Sequence, residues 1–208
     1  MPDEVRAGAQ AGALEVVADP IALFRRWLDE AGRSEPEDAN AMALATCARG
    51  GIPSVRMVLL KDVDERGFVF YTNKQSRKGE QLAGGAGAGL LFHWKSLRRQ
   101  VRVEGPVEDV SPEEADAYFS SRARVSRLGA LASEQSRPLP SRDELERRVA
   151  VLDREHPGDA VPRPPHWSGY RVLPDLIEFW QDMPFRLHDR IAYRRRSEDD
   201  WQATRLYP

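Results

Sequence analysis

The sequence contains a single cysteine and no long apolar run. Cys47 stands alone among 208 residues, which excludes an intrachain disulfide framework and a metal site built from several cysteines. No apolar stretch approaches the ~20 residues that a membrane-spanning helix needs. The N-terminal residues also lack the basic-then-apolar order of a secretory signal. We therefore expect a cytoplasmic protein with no membrane partner.

The chain also lacks an excess of charge of one sign. It has 31 Lys and Arg against 33 Asp and Glu, a net charge of −2, and no basic tract lies beside stacking aromatics. A nucleic-acid partner is therefore not expected. The four histidines have no metal-ligand spacing, so no metal site is expected. Neither a GxGxxG fingerprint nor a GxSxG elbow occurs, which gives no support to a dinucleotide-binding fold or to hydrolase-type catalysis.

What the sequence does contain is a series of short apolar segments separated by turn residues, which predicts antiparallel strands. Helices are predicted after Asp19-Pro20 and at capping boxes that begin at Ser111 and Ser141. We predict an α+β fold, mainly antiparallel β, with peripheral helices. The length suits one domain, predicted over 19–208 after a flexible N-terminal arm over 1–18. The strands are predicted at 41–48, 55–61, 68–72, 88–94 and 99–110, with four more after residue 167.

Two groups of residues could bind phosphate. Arg77 and Lys78 lie at a predicted helix start, where the helix dipole and free N–H groups favour anions. A solvated helix start would explain the same pair. Tyr118, Arg122 and Ser126 recur at a spacing of four, which on one helix places them on one face. Arginine offers a planar fork to phosphate oxygens, although an amphipathic helix with a surface arginine has the same spacing.

Two further segments carry charges beside apolar residues. The strand RMVLLK has Arg56 and Lys61 on opposite faces, and charges at strand ends are also common for structural reasons. The segment FWQDMPFRLHDR begins with two aromatics, as a buried strand would, and ends in four ionisable side chains. His188 within it could act as a general acid or base near neutral pH, or could be structural.

Taken together, the motifs RMVLLK, FVFYTN, SRKGEQL, RRQVRVEG, YFSSRARVS, ASEQS, PPHWSGYRV, IEFWQ and RLHDR resemble the pyridoxine/pyridoxamine 5′-phosphate oxidase family. The resemblance covers nearly all of 19–208. It implies a split β-barrel that binds FMN at the interface of a homodimer. The flavin contacts that it implies are Arg56, Met57, Val58, Leu59, Lys61, Tyr71, Thr72, Arg77, Lys78, Gln100, Gln135, Ser136, Trp180 and Arg190.

The resemblance also implies a substrate and a reaction. A small phosphorylated pyridine would be oxidised to pyridoxal 5′-phosphate, with O2 as acceptor and H2O2 as product. Arg186 and His188 would be the catalytic residues over the pyridine ring. The residues implied at the substrate phosphate are Lys61, Tyr118, Arg122 and Ser126.

The sequence departs from the family pattern at two places. The Arg-x-x-Tyr element of the N-terminal arm is missing, since Arg6 has no tyrosine near it. Residues 182–185 read Asp-Met-Pro-Phe, where the family usually has smaller or polar residues. Two alternatives therefore stay open: a flavin oxidase of secondary metabolism, of the phenazine-biosynthesis type, acting on a different ring, or a non-catalytic protein that binds flavin or pyridoxal phosphate.

Overall fold

The computed structural model describes residues 12–85, 87–198 and 200–208. The described residues form two antiparallel sheets with helices around them. The helices are α1 (Pro20–Ser34), α2 (Arg77–Ala83), α3 (Pro112–Ser121), α4 (Arg124–Ala132) and α5 (Arg142–Glu155), with a 3-10 turn at Pro184–Arg186. The strands are β1 (Ala41–Thr46), β2 (Ser54–Leu59), β3 (Asp62–Val63), β4 (Phe68–Asn73), β5 (Ala88–Trp94), β6 (Arg99–Gly105), β7 (Val107–Asp109), β8 (Trp167–Val172), β9 (Leu176–Gln181), β10 (Asp189–Arg195) and β11 (Trp201–Leu206).

The larger sheet has seven strands in the order β11-β10-β9-β6-β5-β1-β2, and the smaller has four in the order β3-β4-β8-β7. The segment predicted as one strand over 99–110 is two strands, one in each sheet. The chain crosses between the sheets at Gly105. A Cβ there would lie 1.8 Å from the carbonyl oxygen of Leu173, so only glycine allows this close approach.

Helix α1 joins the two sheets through its buried face. Asp19 caps it by accepting hydrogen bonds from the backbone of Ile21 and Ala22, as the sequence predicts. Phe24 is fully buried and packs edge-on against Phe68 of the smaller sheet at 4.8 Å and Phe92 of the larger sheet at 4.9 Å. Aromatic pairs in this geometry contribute about 0.5–1.5 kcal/mol beyond the area they bury.

The chain before α1 runs along β10. The backbone N–H of Leu14 donates to Asp189 Oδ2 at 2.6 Å, and that of Val17 donates to the Tyr193 hydroxyl at 3.0 Å. The rest of the predicted arm, residues 1–11 with Arg6, lies outside the described residues. None of the helices in the described part of the chain is long and apolar enough to cross a membrane.

The outward face of the larger sheet is apolar at its β2 edge. Val55 and Met57 expose 66% and 64% of their surface, and Leu59 and Leu91 each expose 37%. The registers align Met57 with Ala43 and Ala43 with Leu91, so these side chains form one continuous patch. A patch of this kind on a soluble protein is typical of an interaction surface.

Candidate functional site

A cavity of about 620 Å³ lies where β2, β4, α3 and α4 meet. Its walls combine aromatic rings, hydroxyl groups and cations, which is the usual make-up of a site for a polar aromatic ligand. Eleven of the residues that the sequence nominates line it: Met57, Val58, Leu59, Lys61, Tyr71, Thr72, Lys78, Tyr118, Arg122, Ser126 and Gln135.

Three stacked aromatic side chains form one wall of the cavity. The rings of Tyr71 and Tyr118 lie 4.1 Å apart at 19°, and those of Tyr71 and Trp167 lie 5.4 Å apart at 8°. Burial raises the pKa of Tyr71, and the nearby carboxylate of Glu114 raises it further. Tyr71 therefore stays a neutral phenol at physiological pH. Lys61 Nζ lies 5.9 Å from the centre of the Tyr118 ring, within range of a cation–π contact.

Arg122 lies between two helices, not within one. Helix α3 ends at Ser121 with Arg122 as its C-cap, and α4 begins two residues later. Tyr118 and Ser126 are therefore on different helices, and the shared helix face suggested by their spacing is not present. The break nevertheless brings all three side chains to the same cavity. Ser126 reaches that cavity from the first turn of α4, which begins two residues after the C-cap.

The Arg122 guanidinium is partly desolvated. Its carbon lies 4.9 Å from the ring centre of Trp167 and 5.8 Å from that of Phe119. One terminal nitrogen is buried and has no hydrogen-bond partner among the described residues. Burial lowers the pKa of Arg122, with the neighbouring Tyr118 acting in the opposite direction. A buried donor without a partner costs about 1–3 kcal/mol, so this nitrogen fits a site that is completed by an anionic ligand.

Lys78 defines the other end of the cavity. Its Nζ donates to Gln135 Oε1 at 2.8 Å and to the hydroxyls of Thr72 and Ser76, both at 3.2 Å. All three acceptors are neutral. Burial lowers the pKa of Lys78, and the positive charge of Arg56 lowers it further. The positive charges at this end of the cavity thus have no carboxylate partner among the described residues. A bound anion would offset the repulsion between them.

Three nominated residues lie beside this end without lining the cavity. The first of them is Arg56, whose guanidinium donates hydrogen bonds to the Leu44 carbonyl and the Thr46 hydroxyl. Its pKa is lowered by burial and then by Arg77, so these two cations are neighbours. Ser136 is exposed and has φ 74°, in the turn that follows Gln135.

A second group of nominated residues lies on the outward face of β6, β9 and β10. Gln100 pairs with Trp180, and Trp180 pairs with Arg190, across adjacent strands. The rings of Trp180 and His188 lie 4.6 Å apart. Arg190 Nε donates to Glu178 at 2.9 Å. Arg186 is exposed and has φ 60°, an uncommon conformation for a residue other than glycine.

The two groups are far apart within one chain. Strands β1, β5 and β6 separate β2 from β9. Adjacent strands lie about 4.8 Å apart, so four spacings separate β9 from the β2 edge of the cavity by about 19 Å measured along the sheet. A small ligand cannot bridge that distance. If both groups serve one ligand, they must come from different copies of the chain.

Several side chains near these groups were not nominated from the sequence. Trp167, Asn73 and Ser133 line the cavity, and Asn73 Nδ2 donates to the Ser133 carbonyl at 3.3 Å. Asp182 lies 2.9 Å from His188 Nδ1. Trp167 lies within the motif PPHWSGYRV quoted above, so the sequence contained a signal that could have identified it. The contact of Asp182 depends on the shape of a turn and has no sequence signature.

Comparison with known proteins identifies the family. Residues 28–153 match a family model described as pyridoxamine 5′-phosphate oxidase, and residues 167–208 match one described as the pyridoxine 5′-phosphate oxidase C-terminal dimerisation region. This chain belongs to the pyridoxine/pyridoxamine 5′-phosphate oxidase family. It is 60% identical over 195 residues to such an oxidase from Gluconobacter oxydans, covering 94% of this chain and 97% of that one. It is 63% identical over 195 residues to that from Rhodospirillum rubrum, covering 91% and 96%.

Solved structures confirm the predicted split-barrel fold. The chain resembles PhzG from Burkholderia lata in complex with tetrahydrophenazine-1-carboxylic acid, with TM-score 0.85 and 33% identity, covering 95% of this chain and 100% of that one. It also resembles a pyridoxamine 5′-phosphate oxidase-related, FMN-binding protein from Nostoc punctiforme, with TM-score 0.73 and 18% identity, covering 91% and 98%. This family member is an oxidoreductase with the family's mixed helix and antiparallel-sheet architecture.

Proposed function

We propose that this oxidase uses FMN to convert pyridoxine or pyridoxamine 5′-phosphate to pyridoxal 5′-phosphate, with O2 as acceptor and H2O2 as product. The observation that carries the proposal is that Arg122 lines the cavity with a buried terminal nitrogen for which the described residues provide neither a hydrogen-bond partner nor a carboxylate. A substrate without an anionic group would leave that nitrogen desolvated and unpaired. Residues 19–208 are proposed as a single FMN-binding domain in the cytoplasm.

The cations at the Lys78 end suit the FMN phosphate. Lys78 is held by neutral oxygens, and it lies close enough to Arg56 for their charges to interact. Arg77 is a near neighbour of Arg56. A phosphate would be attracted to this group and would offset the repulsion within it. When bound, FMN supplies two-electron oxidation and reaction with dioxygen, whereas the protein supplies binding, orientation and charge.

The substrate phosphate is assigned to the Arg122 end. Arg122 supplies a charged fork, and Tyr118 and Ser126 add hydroxyl groups that can donate to phosphate oxygens. Lys61, over the Tyr118 ring, adds a second cation at the same wall. Hydrogen bonds from charged donors are about twice as strong as neutral ones. Anchoring the phosphate in this way restricts the orientation of the attached ring.

The substrate ring is assigned to Arg186 and His188 of a second subunit. These residues are about five strand spacings from β2 in their own chain, or about 24 Å measured along the sheet. The exposed apolar patch around Met57 supports a homodimer in which the β2 edge of one subunit meets the β9–β10 face of the other. In such a dimer Gln100, Trp180 and Arg190 would contact the flavin from the partner's side.

The experiment is turnover by the purified, FMN-loaded protein. We expect each pyridoxamine 5′-phosphate to consume one O2 and one water and to yield one pyridoxal 5′-phosphate, one ammonia and one H2O2, with the aldehyde and the peroxide followed by absorbance. The matched control is pyridoxamine, which lacks only the phosphate and should react far more slowly at equal concentration. Absence of turnover by protein with a full complement of flavin would refute the proposal.

A second candidate function is favoured by the similarity to PhzG. An oxidase of that type would act on a tricyclic substrate without a phosphate. A carboxylate on that substrate would also pair with Arg122, but the additional cation Lys61 and the hydroxyls of Tyr118 and Ser126 on the same cavity favour a phosphate, which has more charge and more acceptor oxygens. If the protein oxidised a dihydrophenazine carboxylic acid faster than pyridoxamine 5′-phosphate, this second function would replace the first.

A further inference from the structure

A buried carboxylate lies on the outward face of the larger sheet, in the middle of β9. Ile177 and Phe179 are fully buried in the core, so the alternation of the strand places Glu178 on the opposite face, with Trp180. Glu178 nevertheless exposes only 5% of its surface. Glutamate is almost never buried to this degree unless it is paired, so its partners indicate its role.

Glu178 accepts hydrogen bonds from two arginines, one on each neighbouring strand. Its Oε2 accepts from a terminal nitrogen of Arg102 on β6 at 2.9 Å, and its Oε1 accepts from Nε of Arg190 on β10, also at 2.9 Å. The register explains both contacts. Glu178 lies directly opposite Arg102 and Ala192, and Arg190 is two residues from Ala192 on the same face.

These contacts leave one part of the Arg190 guanidinium available. Nε donates to Glu178, and Nη1 donates to the Tyr207 carbonyl at 2.8 Å. The remaining nitrogen, Nη2, has no hydrogen-bond partner among the described residues and is not buried. Because a guanidinium is planar, fixing Nε and Nη1 also fixes the direction of Nη2. Arg190 lies opposite Trp180, so this free donor and an aromatic side chain share one part of the face.

Stability alone does not account for a buried carboxylate at this position. Replacing a buried ion pair by apolar side chains of similar size is often neutral or stabilising. What Glu178 does supply is a fixed position for Arg190. A long side chain that is already ordered loses less conformational freedom when a ligand binds to it, and the complex is correspondingly tighter.

We infer that Glu178 is a positioning residue for the cofactor site, because it holds Arg190 with Nη2 free to donate to FMN. The inference rests on the proposed function, which assigns Arg190 to the flavin of a second subunit. FMN carries acceptor oxygens on its phosphate and on its ring carbonyls, and a guanidinium can donate to either kind. Glu178 has both oxygens occupied by arginines, so it acts through Arg190 and does not itself bind the ligand.

The test is retention of FMN by the full-length, FMN-loaded protein on dilution, measured by ultrafiltration and flavin absorbance. E178M keeps the length of the side chain and removes both acceptor oxygens. We expect its dissociation constant for FMN to rise about 2- to 12-fold, which corresponds to the cost of ordering one long side chain on binding. R190M also removes the donor, so its dissociation constant should rise about 10- to 100-fold.

The matched control is E104M. Glu104 pairs with the same Arg102, at 3.1 Å, and has no contact with Arg190 among the described residues. Its replacement removes a carboxylate from the same sheet face and should leave the dissociation constant for FMN unchanged.

The double variant separates positioning from a general structural effect. If Glu178 acts through Arg190, adding E178M to R190M should leave the dissociation constant as it is in R190M alone. A structural role predicts that E178M weakens FMN binding by the same factor in both backgrounds. That result, or an unchanged dissociation constant in E178M, would overturn the inference. A natural protein that retains FMN but does not oxidise pyridoxamine 5′-phosphate would instead refute the proposed function and leave the comparison of these variants standing.

Discussion

Replacing Arg122 by alanine tests whether this arginine binds the substrate or stabilises the fold. If Arg122 binds the substrate phosphate, its loss removes a hydrogen bond from a charged donor, which contributes about 1.5–3 kcal/mol. Since 1.4 kcal/mol corresponds to a factor of ten in affinity, we expect KM for pyridoxamine 5′-phosphate to rise about 10- to 100-fold. The upper part of the range applies if both arms of the guanidinium fork reach the phosphate.

The same substitution should not destabilise the protein without substrate. Removing the stacked cation from Trp167 costs about 0.5–1 kcal/mol. Removing the buried, unpartnered nitrogen relieves about 1–3 kcal/mol. The two effects have opposite signs, so the free energy of unfolding of R122A should be unchanged or slightly higher. Urea unfolding of FMN-loaded protein measures it.

Arg127, on the next helix, is the matched control. It is 5% exposed and does not line the cavity. It donates to the Asp159 carbonyl at 2.9 Å and pairs with the Asp159 carboxylate. R127A should therefore lose stability and keep its KM, the reverse of R122A. A loss of stability in R122A with an unchanged KM would refute the assignment of Arg122 to the phosphate.

Three further predictions concern other parts of the molecule. Burial lowers the pKa of Lys78 below 10.5, so the affinity for FMN should fall as the pH rises through that lowered value. The K78R variant should retain its affinity to higher pH, and a flavin-fluorescence titration measures both. Replacing Arg171, which is 1% exposed and paired with several carboxylates, by methionine should cost about 2–4 kcal/mol in urea unfolding, because the acids lose their partner. M57E should shift the protein towards monomer in sedimentation, and an unchanged dimer would exclude the β2 patch as the interface.

The elements that the sequence predicts well are those whose signals are local. The capping box at Ser111 is an example, since Ser111 and Glu114 each accept from the other's backbone N–H, at 3.1 and 2.8 Å. A short apolar segment bounded by turn residues likewise predicts a strand at 55–61, and β2 spans Ser54–Leu59. Both signals depend on neighbours within four residues, so no tertiary information is needed.

Eleven of the residues predicted from the sequence line the cavity, but their arrangement could not be predicted. Spacing suggested one helix face for Tyr118, Arg122 and Ser126, whereas a break between two helices brings them together. The distance between the cavity and His188 follows from the strand order, which places three strands between β2 and β9. Strand order is set by long-range packing, and no local pattern encodes it.

Charge pairing gives a criterion for the site that does not depend on the family. Buried cations are normally paired, because desolvation of an isolated charge is costly. Arg127 and Arg171 obey this rule, each having carboxylate partners. Lys78 and Arg122 are also partly desolvated, yet neither has a carboxylate partner among the described residues. Two such cations at opposite ends of one cavity suit two anionic groups. A cofactor and a substrate that each carry one phosphate supply them, whereas a single phosphate would satisfy only one end.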